Sequence, residues 1–151
     1  MKIMIVEDEF PIAQLIQKHV REILGPQITQ LVAFSSLNQA LEHLKLHPID
    51  LLLLDLNLNG KNGFEILQSL VAESFHTIII SAYRDRALEA FEYGVLDFVP
   101  KPFNKARLEK AFERLQTEVR VETKFLAIKH QGRIQLIPIE EIVYVQGAGN
   151  Y

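Results

Sequence analysis

Strand-type and helix-type patterns alternate five times along about the first 120 residues, and this alternation restricts the fold more than any other feature. The apolar strand-type runs are residues 2–6, 28–34, 49–55, 77–81 and 95–99. Each run is followed by a segment with apolar residues at helical spacing. Repeated strand–helix units favour a parallel sheet with right-handed crossovers and helices on both faces. We therefore predict an α/β fold with a doubly wound, five-stranded parallel sheet.

The third strand-type run carries the first candidate functional residue. Residues 51–54 are all leucine, and they are followed by Asp55 and then by turn-type residues up to Gly60. A short, unbroken apolar run is typical of a strand that is buried on both faces of a parallel sheet. Because open α/β sheets build their sites at the carboxyl ends of strands, we expect Asp55 to lie at a functional edge.

The composition excludes several classes of protein. The chain has 151 residues, which suits one domain with a short addition, and 48% of them are hydrophobic. It contains no cysteine, so disulfides, thiolate metal sites and cysteine nucleophiles are excluded. The net charge of -3 is not the basic charge of a nucleic-acid-binding protein. Neither a membrane span nor a signal peptide is recognisable, so we expect a cytoplasmic protein with no membrane partner.

Polar residues follow four of the predicted strands. Glu7 and Asp8 follow the first strand, Asp55 ends the third, Ser81 ends the fourth and Lys101 follows the fifth. If the first and third strands are neighbours, three carboxylates converge, and two such charges ~4 Å apart repel by roughly 4 kcal/mol at an effective dielectric near 20. The cluster must then take up protons, water or a cation. Oxygen ligands without His or Cys favour Mg²⁺, Mn²⁺ or Ca²⁺, and Mg²⁺ fits best because it retains waters and commonly bridges carboxylates to phosphate oxygens.

A cation, an ammonium and a hydroxyl around a carboxylate form a set that suits a phosphoryl group. Lys101 would offset negative charge on phosphoryl oxygens, and Ser81 would donate a hydrogen bond. Asp55 is then a candidate nucleophile that forms an aspartyl phosphate. Three alternatives remain: ordinary polar residues at strand ends, a phosphatase or phosphomutase, and an adaptor that is not phosphorylated. The enzyme alternative is disfavoured because Asn57 stands where such enzymes often have a second Asp.

The pairs Glu7-Asp8 and Ser81-Ala82, Asp55 with Asn57, and Lys101-Pro102 resemble the receiver domain of bacterial response regulators. The resemblance covers residues 1–120 and implies a flavodoxin-like strand order of 2-1-3-4-5. It implies Asp55 as the phosphoacceptor, with Mg²⁺ held by Glu7, Asp8, Asp55 and Asn57. It implies phosphoryl contacts from Ser81 and Lys101, and a conformational switch formed by Ser81 and Phe98.

The same resemblance implies a signalling role. A sensor histidine kinase would supply the phosphoryl group, and the domain would assist its own phosphorylation and dephosphorylation without acting as an enzyme on a separate substrate. The resemblance also implies a homodimer of this chain through the face made by the fourth helix, the fifth strand and the fifth helix. The Lys101-Pro102 peptide bond is typically cis in this family.

The C-terminal segment has a different pattern. Residues 121–124 are polar and are predicted to be a linker, and strand-type runs at 125–130 and 133–137 flank Gln131-Gly132 as in a hairpin. Residues 125–151, with a further apolar run at 142–145, resemble the start of a LytTR-type DNA-binding domain. This resemblance implies that the parent protein is a transcriptional regulator. Because so short a segment cannot bury a core of its own, we expect DNA binding only in the full-length parent.

Overall fold

The structure is a computed structural model, and it describes residues 1–62, 64, 67, 75–120, 125–130 and 133–138. The chain divides into two compact units, Met1–Leu115 and Gln116–Tyr151. The first unit contains the sheet and the candidate site.

The first unit is built on a five-stranded parallel sheet. Its strands are β1 (Lys2–Val6), β2 (Gln30–Phe34), β3 (Leu51–Leu54), β4 (His76–Ser81) and β5 (Asp97–Pro100). Their order across the sheet is β2-β1-β3-β4-β5, and every neighbouring pair is parallel. In the register, Val6 lies opposite Leu54, and Leu54 lies opposite Ile79. This arrangement confirms the predicted doubly wound, flavodoxin-like fold with the order 2-1-3-4-5.

The strand limits differ from the prediction at four of the five strands. The second strand begins at Gln30 instead of residue 28, and the Thr29 N–H just before it donates to the Met1 carbonyl at 2.9 Å. The third and fifth strands differ most: the third is Leu51–Leu54 instead of 49–55, and pairing of the fifth with β4 begins at Asp97 and continues through Pro100. Apolar residues before a strand pack into the core just as those within it do, so their pattern does not mark where pairing begins.

Four helices lie among the described residues: α1 (Phe10–Leu24), α2 (Leu37–Leu46), α3 (Ala87–Glu92) and α4 (Lys105–Arg120). Short 3₁₀ turns occupy Gly25–Gln27 and Arg84–Arg86. Ser36 caps α2, since its hydroxyl accepts a hydrogen bond from the Gln39 N–H at 3.4 Å. Of the third predicted helix, Phe64 and Leu67 are helical and buried, whereas Leu70 and Val71 lie outside the described residues.

The core consists of two apolar clusters, one on each face of the sheet. Successive residues of β3 point to opposite faces, so Leu51 and Leu53 belong to one cluster while Leu52 and Leu54 belong to the other. All four leucines are buried, and each contributes roughly 1.5–3 kcal/mol relative to an exposed side chain. Because β3 is held from both sides, the position of the residue that follows it is fixed.

The described part of the second unit contains a β-hairpin. Its strands, β6 (Phe125–His130) and β7 (Arg133–Pro138), are antiparallel, with His130 opposite Arg133 and Phe125 opposite Pro138. The hairpin confirms that prediction, with the second strand one residue longer than expected. The predicted linker at 121–124 and the apolar run at 142–145 lie outside the described residues. None of the described helices has the length and apolar character needed to cross a bilayer.

Candidate functional site

Three carboxylates meet at the carboxyl edge of the sheet. Because β1 and β3 are neighbours in register, the residues that follow Val6 and Leu54 lie side by side, and the Asp55 N–H donates to the Val6 carbonyl at 2.9 Å. Carboxylate oxygens of Glu7, Asp8 and Asp55 all lie within 4.8 Å of one another. Glu7 and Asp55 are buried, and Asp8 is half-buried. The convergence that the sequence predicts on the condition of neighbouring strands is therefore present.

Lys101 brings a positive charge to this cluster. Its Nζ donates a hydrogen bond to Asp55 Oδ2 at 2.8 Å, lies 2.8 Å from Glu7 Oε2 and lies 3.6 Å from Glu9 Oε1. The contact with Glu7 is a buried ion pair. The Lys101 N–H donates to the Ser81 carbonyl at 2.9 Å, and the Lys101-Pro102 peptide bond is cis. Lys101 is thus held by both backbone and side chain.

The electrostatics of the site follow from burial and pairing. Burial raises the pKa of the Glu7 carboxyl, and the nearby Asp55 charge adds to this rise, while Lys101 opposes it. Burial by itself would lower the pKa of the Lys101 ammonium, but its contacts with Asp55 and Glu7 outweigh this effect and raise it. Lys101 therefore stays charged, whereas Glu7 holds a proton more readily than an exposed glutamate.

The other predicted site residues lie at or near the same edge. The Asn57 N–H donates to Asp55 Oδ1 at 3.1 Å. Ser81 is fully buried, and its Oγ accepts the Tyr83 N–H at 3.4 Å. Phe98 is 6% exposed and belongs to the same apolar cluster as Leu54. Phe98 is therefore a core residue in this structure.

The residues present fit a hard divalent cation. The donor set consists of three carboxylates, and among the described residues it is the only group of three or more metal-ligating side chains close enough to share an ion. Glu7 Oε2 is buried, and the Lys101 ammonium is its charged partner at 2.8 Å, so a cation at this site would share the oxygen with Lys101. Three carboxylates against a single ammonium leave a net negative charge, and Mg²⁺ prefers oxygen ligands of this kind.

Two further residues at the edge were missed by the sequence reasoning. Glu9 approaches Lys101, and the Asn59 N–H donates to Asp8 Oδ2 at 2.8 Å. Asn59 has a φ of 53° and Gly60 a φ of 78°, a left-handed turn that brings the Asn59 N–H to Asp8. The acidic run Glu7-Asp8-Glu9 and the pair Asn59-Gly60 are visible signals, but neither shows which atoms meet.

Comparisons with known proteins agree with this geometry. The chain matches the sequence profile of the response regulator receiver domain over residues 3–113. It is 38% identical over 119 residues to the transcriptional regulatory protein MalR of Bacillus subtilis, which covers 76% of this chain and 47% of MalR. It is 30% identical over 166 residues to the transcriptional regulatory protein YpdB of Escherichia coli K12, which covers 97% of this chain and 65% of YpdB.

A solved structure supports the same assignment. The response regulatory domain of protein mrkE from Klebsiella pneumoniae is similar, with a TM-score of 0.72 and 27% identity over 80% of this chain and 98% of that one. The strand order and the acidic edge place this protein in the class of two-component signalling domains. The chain belongs to the response regulator receiver domain family. It spans about half to two thirds of the length of the curated relatives described above.

Proposed function

We propose that Asp55 accepts a phosphoryl group from a sensor histidine kinase or a small phosphodonor, so that this domain works as a Mg²⁺-dependent phosphorylation switch. The proposal rests on the position of the Lys101 ammonium, which lies 2.8 Å from Asp55 Oδ2. Beside them, Glu7 and Asp8 supply carboxylates that suit a cation. A carboxylate with an adjacent ammonium and cation site is equipped for phosphoryl transfer, since both positive charges offset charge on the transferring group.

The proposed reaction is an in-line displacement. An Asp55 oxygen attacks phosphorus, the bond from phosphorus to the donor atom breaks, and its electron pair leaves with the donor. Lys101 moves from Asp55 Oδ2 to a phosphoryl oxygen, and Ser81 donates a hydrogen bond to another. Mg²⁺ held by Glu7, Asp8, Asp55 and the Asn57 carbonyl would offset the charge on the phosphoryl oxygens when bound.

We propose a signalling domain in preference to an enzyme that turns over a separate substrate. Asn57 follows Asp55 by two residues and cannot act as a carboxylic acid for a leaving group. Phosphorylation adds up to about two negative charges, which attract the Ser81 hydroxyl. Because Phe98 is already buried, the phosphoryl group would stabilise an existing inward state of this switch residue. The same geometry lets the domain assist its own phosphorylation and dephosphorylation.

The proposal predicts that acetyl phosphate modifies the protein only when Mg²⁺ is present. Incubation of the chain with both should produce a shifted band on a phosphate-affinity gel, and hydroxylamine should remove the shift because it cleaves acyl phosphates. Chelation of Mg²⁺ with EDTA should prevent the shift. An unshifted protein, or a shift that resists hydroxylamine, would refute an aspartyl phosphate.

For the whole protein we propose a cytoplasmic transcriptional regulator. Residues 1–120 form its receiver domain, 121–124 a linker and 125–151 the N-terminal part of a LytTR-type DNA-binding domain. Two observations support this division: the hairpin of β6 and β7, and the relatives MalR and YpdB, whose names describe transcriptional regulatory proteins. The DNA contacts belong to the full-length parent.

We also propose that phosphorylation promotes a homodimer through the face formed by α3, β5 and α4. The support is the apolar surface of α3, where Leu88 is 80% exposed and Phe91 is 44% exposed. Two copies would bury these side chains against each other.

This dimer predicts a sizing result with a matched control. The phosphorylated chain should elute at roughly twice its monomer mass, and Leu88→Asp should return it to the monomer position, because a charge is placed in an apolar contact. Leu46, which is 77% exposed on α2, supplies the control, since Leu46→Asp adds the same charge away from the face. If Leu88→Asp and Leu46→Asp both dimerise like the wild type, the dimer does not form through α3, β5 and α4.

A further inference from the structure

Asp97 is a buried charge that the proposed phosphoryl site does not use. It stands at the start of strand β5, which is otherwise apolar, and it is 2% exposed. Arg107 donates to both of its carboxylate oxygens, from Nη1 to Oδ2 at 2.8 Å and from Nη2 to Oδ1 at 3.0 Å. Arg114 donates to Oδ1 at 3.0 Å. A carboxylate in this position is stable only with such partners, so the contacts are a requirement of the local fold.

Arg107 also holds the backbone of the neighbouring residue. Its Nη2 donates to the Phe98 carbonyl, while the Phe98 N–H donates to Asp97 Oδ1 at 2.8 Å. β5 is an edge strand of the sheet, and here both backbone polar groups of Phe98 are bonded by side chains. The guanidinium therefore fixes a short piece of strand as well as neutralising a charge. We call the contacts of Arg107 with Asp97 and Phe98 the clasp.

The clasp closes the segment that carries Lys101. Arg107 lies in the first turn of α4, where its N–H donates to Asn104 Oδ1 at 2.9 Å. Between Phe98 and Arg107 the chain leaves the sheet, presents Lys101 to Asp55 and enters the helix. Joining the two ends of this segment limits how far its tip can move, much as a shorter loop would.

Arg114 shares the contact of Arg107 with Asp97 but does not restrain the segment that carries Lys101. It binds the same carboxylate, but it lies seven residues further along α4, roughly 10 Å along the helix axis at 1.5 Å per residue. It is bonded to Asp97 and not to the Phe98 carbonyl. Loss of either arginine weakens the neutralisation of Asp97, whereas only loss of Arg107 opens the base of the Lys101 segment.

We infer that Arg107 is a positioning residue for phosphoryl transfer, acting through the clasp to hold Lys101 against Asp55. The inference rests on the function proposed above for Asp55. Arg107 touches neither the acceptor carboxylate nor the acidic cluster in the described contacts, so its effect is on the placement of Lys101. Displacement of a catalytic group by about 1 Å can reduce a rate by as much as 100-fold.

The test compares Arg107→Gln with Arg114→Gln. The rate constant for Asp55 phosphorylation by saturating acetyl phosphate should fall about 10-fold in the first variant and less than about 2-fold in the second. Mg²⁺ affinity, measured by calorimetry, should stay within about 2-fold of the wild type in both, because the carboxylates that we expect to bind Mg²⁺ are not touched by the clasp. Urea unfolding of both variants measures how much stability each arginine contributes.

A second pair keeps the test decisive if Arg107→Gln does not fold. Lysine keeps the charge beside Asp97 but lacks the planar fork that reaches both the carboxylate and the Phe98 carbonyl, so Arg107→Lys should still be slower than Arg114→Lys. Equal rates in the matched variants would overturn the inference, and so would failure of Arg107→Lys to fold, since the clasp would then be a folding element only. If the wild type itself is not phosphorylated, it is the proposed function of Asp55 that fails.

Discussion

The Asp55→Asn variant is expected to take up no phosphoryl group from acetyl phosphate, although it folds as the wild type does. An amide oxygen is too weak a nucleophile to attack phosphorus, so the loss should be complete. The fold should persist because the asparagine has nearly the same shape, and its amide oxygen can still accept the hydrogen bond that Lys101 donates to Asp55. Mass spectrometry of the intact protein after incubation with acetyl phosphate and Mg²⁺ measures the addition of one phosphoryl group.

A control variant with the same chemical change shows whether the loss of phosphorylation is specific to Asp55 or follows from removing any one negative charge. Asp85 is exposed in the 3₁₀ turn Arg84–Arg86, and Asp85→Asn should be phosphorylated like the wild type. Phosphorylation of Asp55→Asn at the wild-type level would show that another residue accepts the phosphoryl group. Circular dichroism and the urea midpoint confirm that both variants are folded.

The sequence was sufficient for the sheet and for the convergence at its edge. Residues 51–54 specify a strand buried on both sides, and the parallel arrangement then forces Glu7, Asp8 and Asp55 to the same edge once β1 and β3 are neighbours. These are consequences of chain direction and apolar pattern, which can be read along the sequence.

Contacts that depend on side-chain packing could not be predicted from the sequence. The apolar run at 95–99 predicts that Phe98 lies in the core, but it does not show which of the two apolar clusters the ring joins. The clasp was also missed, although Asp97 within an apolar run is a signal, since a charge at such a place requires a partner. The partner, Arg107, is ten residues away, and only the turn through Lys101-Pro102 brings it back.

The second large effect concerns Lys101, the cation that offsets part of the negative charge at the acidic edge. Replacing it with methionine keeps most of the side-chain volume but leaves Glu7 and Asp55 buried without their ammonium partner. Removing one member of a buried ion pair typically costs about 3–5 kcal/mol, so we expect the free energy of unfolding at pH 7 to fall by about that amount. Lys105, which is 42% exposed and pairs with Glu22, offers the control, and Lys105→Met should cost less than about 1 kcal/mol.

The stability lost in Lys101→Met should depend on pH and on Mg²⁺. Burial already raises the pKa of Glu7, and loss of Lys101 removes the contribution that opposes this rise. A carboxyl group whose pKa is higher in the folded than in the unfolded protein stabilises the fold as pH decreases, because the folded state binds the proton more tightly. The deficit relative to the wild type should therefore shrink as pH falls from 7 through the raised pKa of Glu7 towards its ordinary value of 4.5.

At pH 7, Mg²⁺ should restore part of the loss and stabilise the variant more than the wild type, because a bound cation replaces the missing charge. Urea unfolding at pH 7 and pH 5, with and without Mg²⁺, measures both effects, and a deficit that is the same under all four conditions would show that Lys101 stabilises the fold by packing alone.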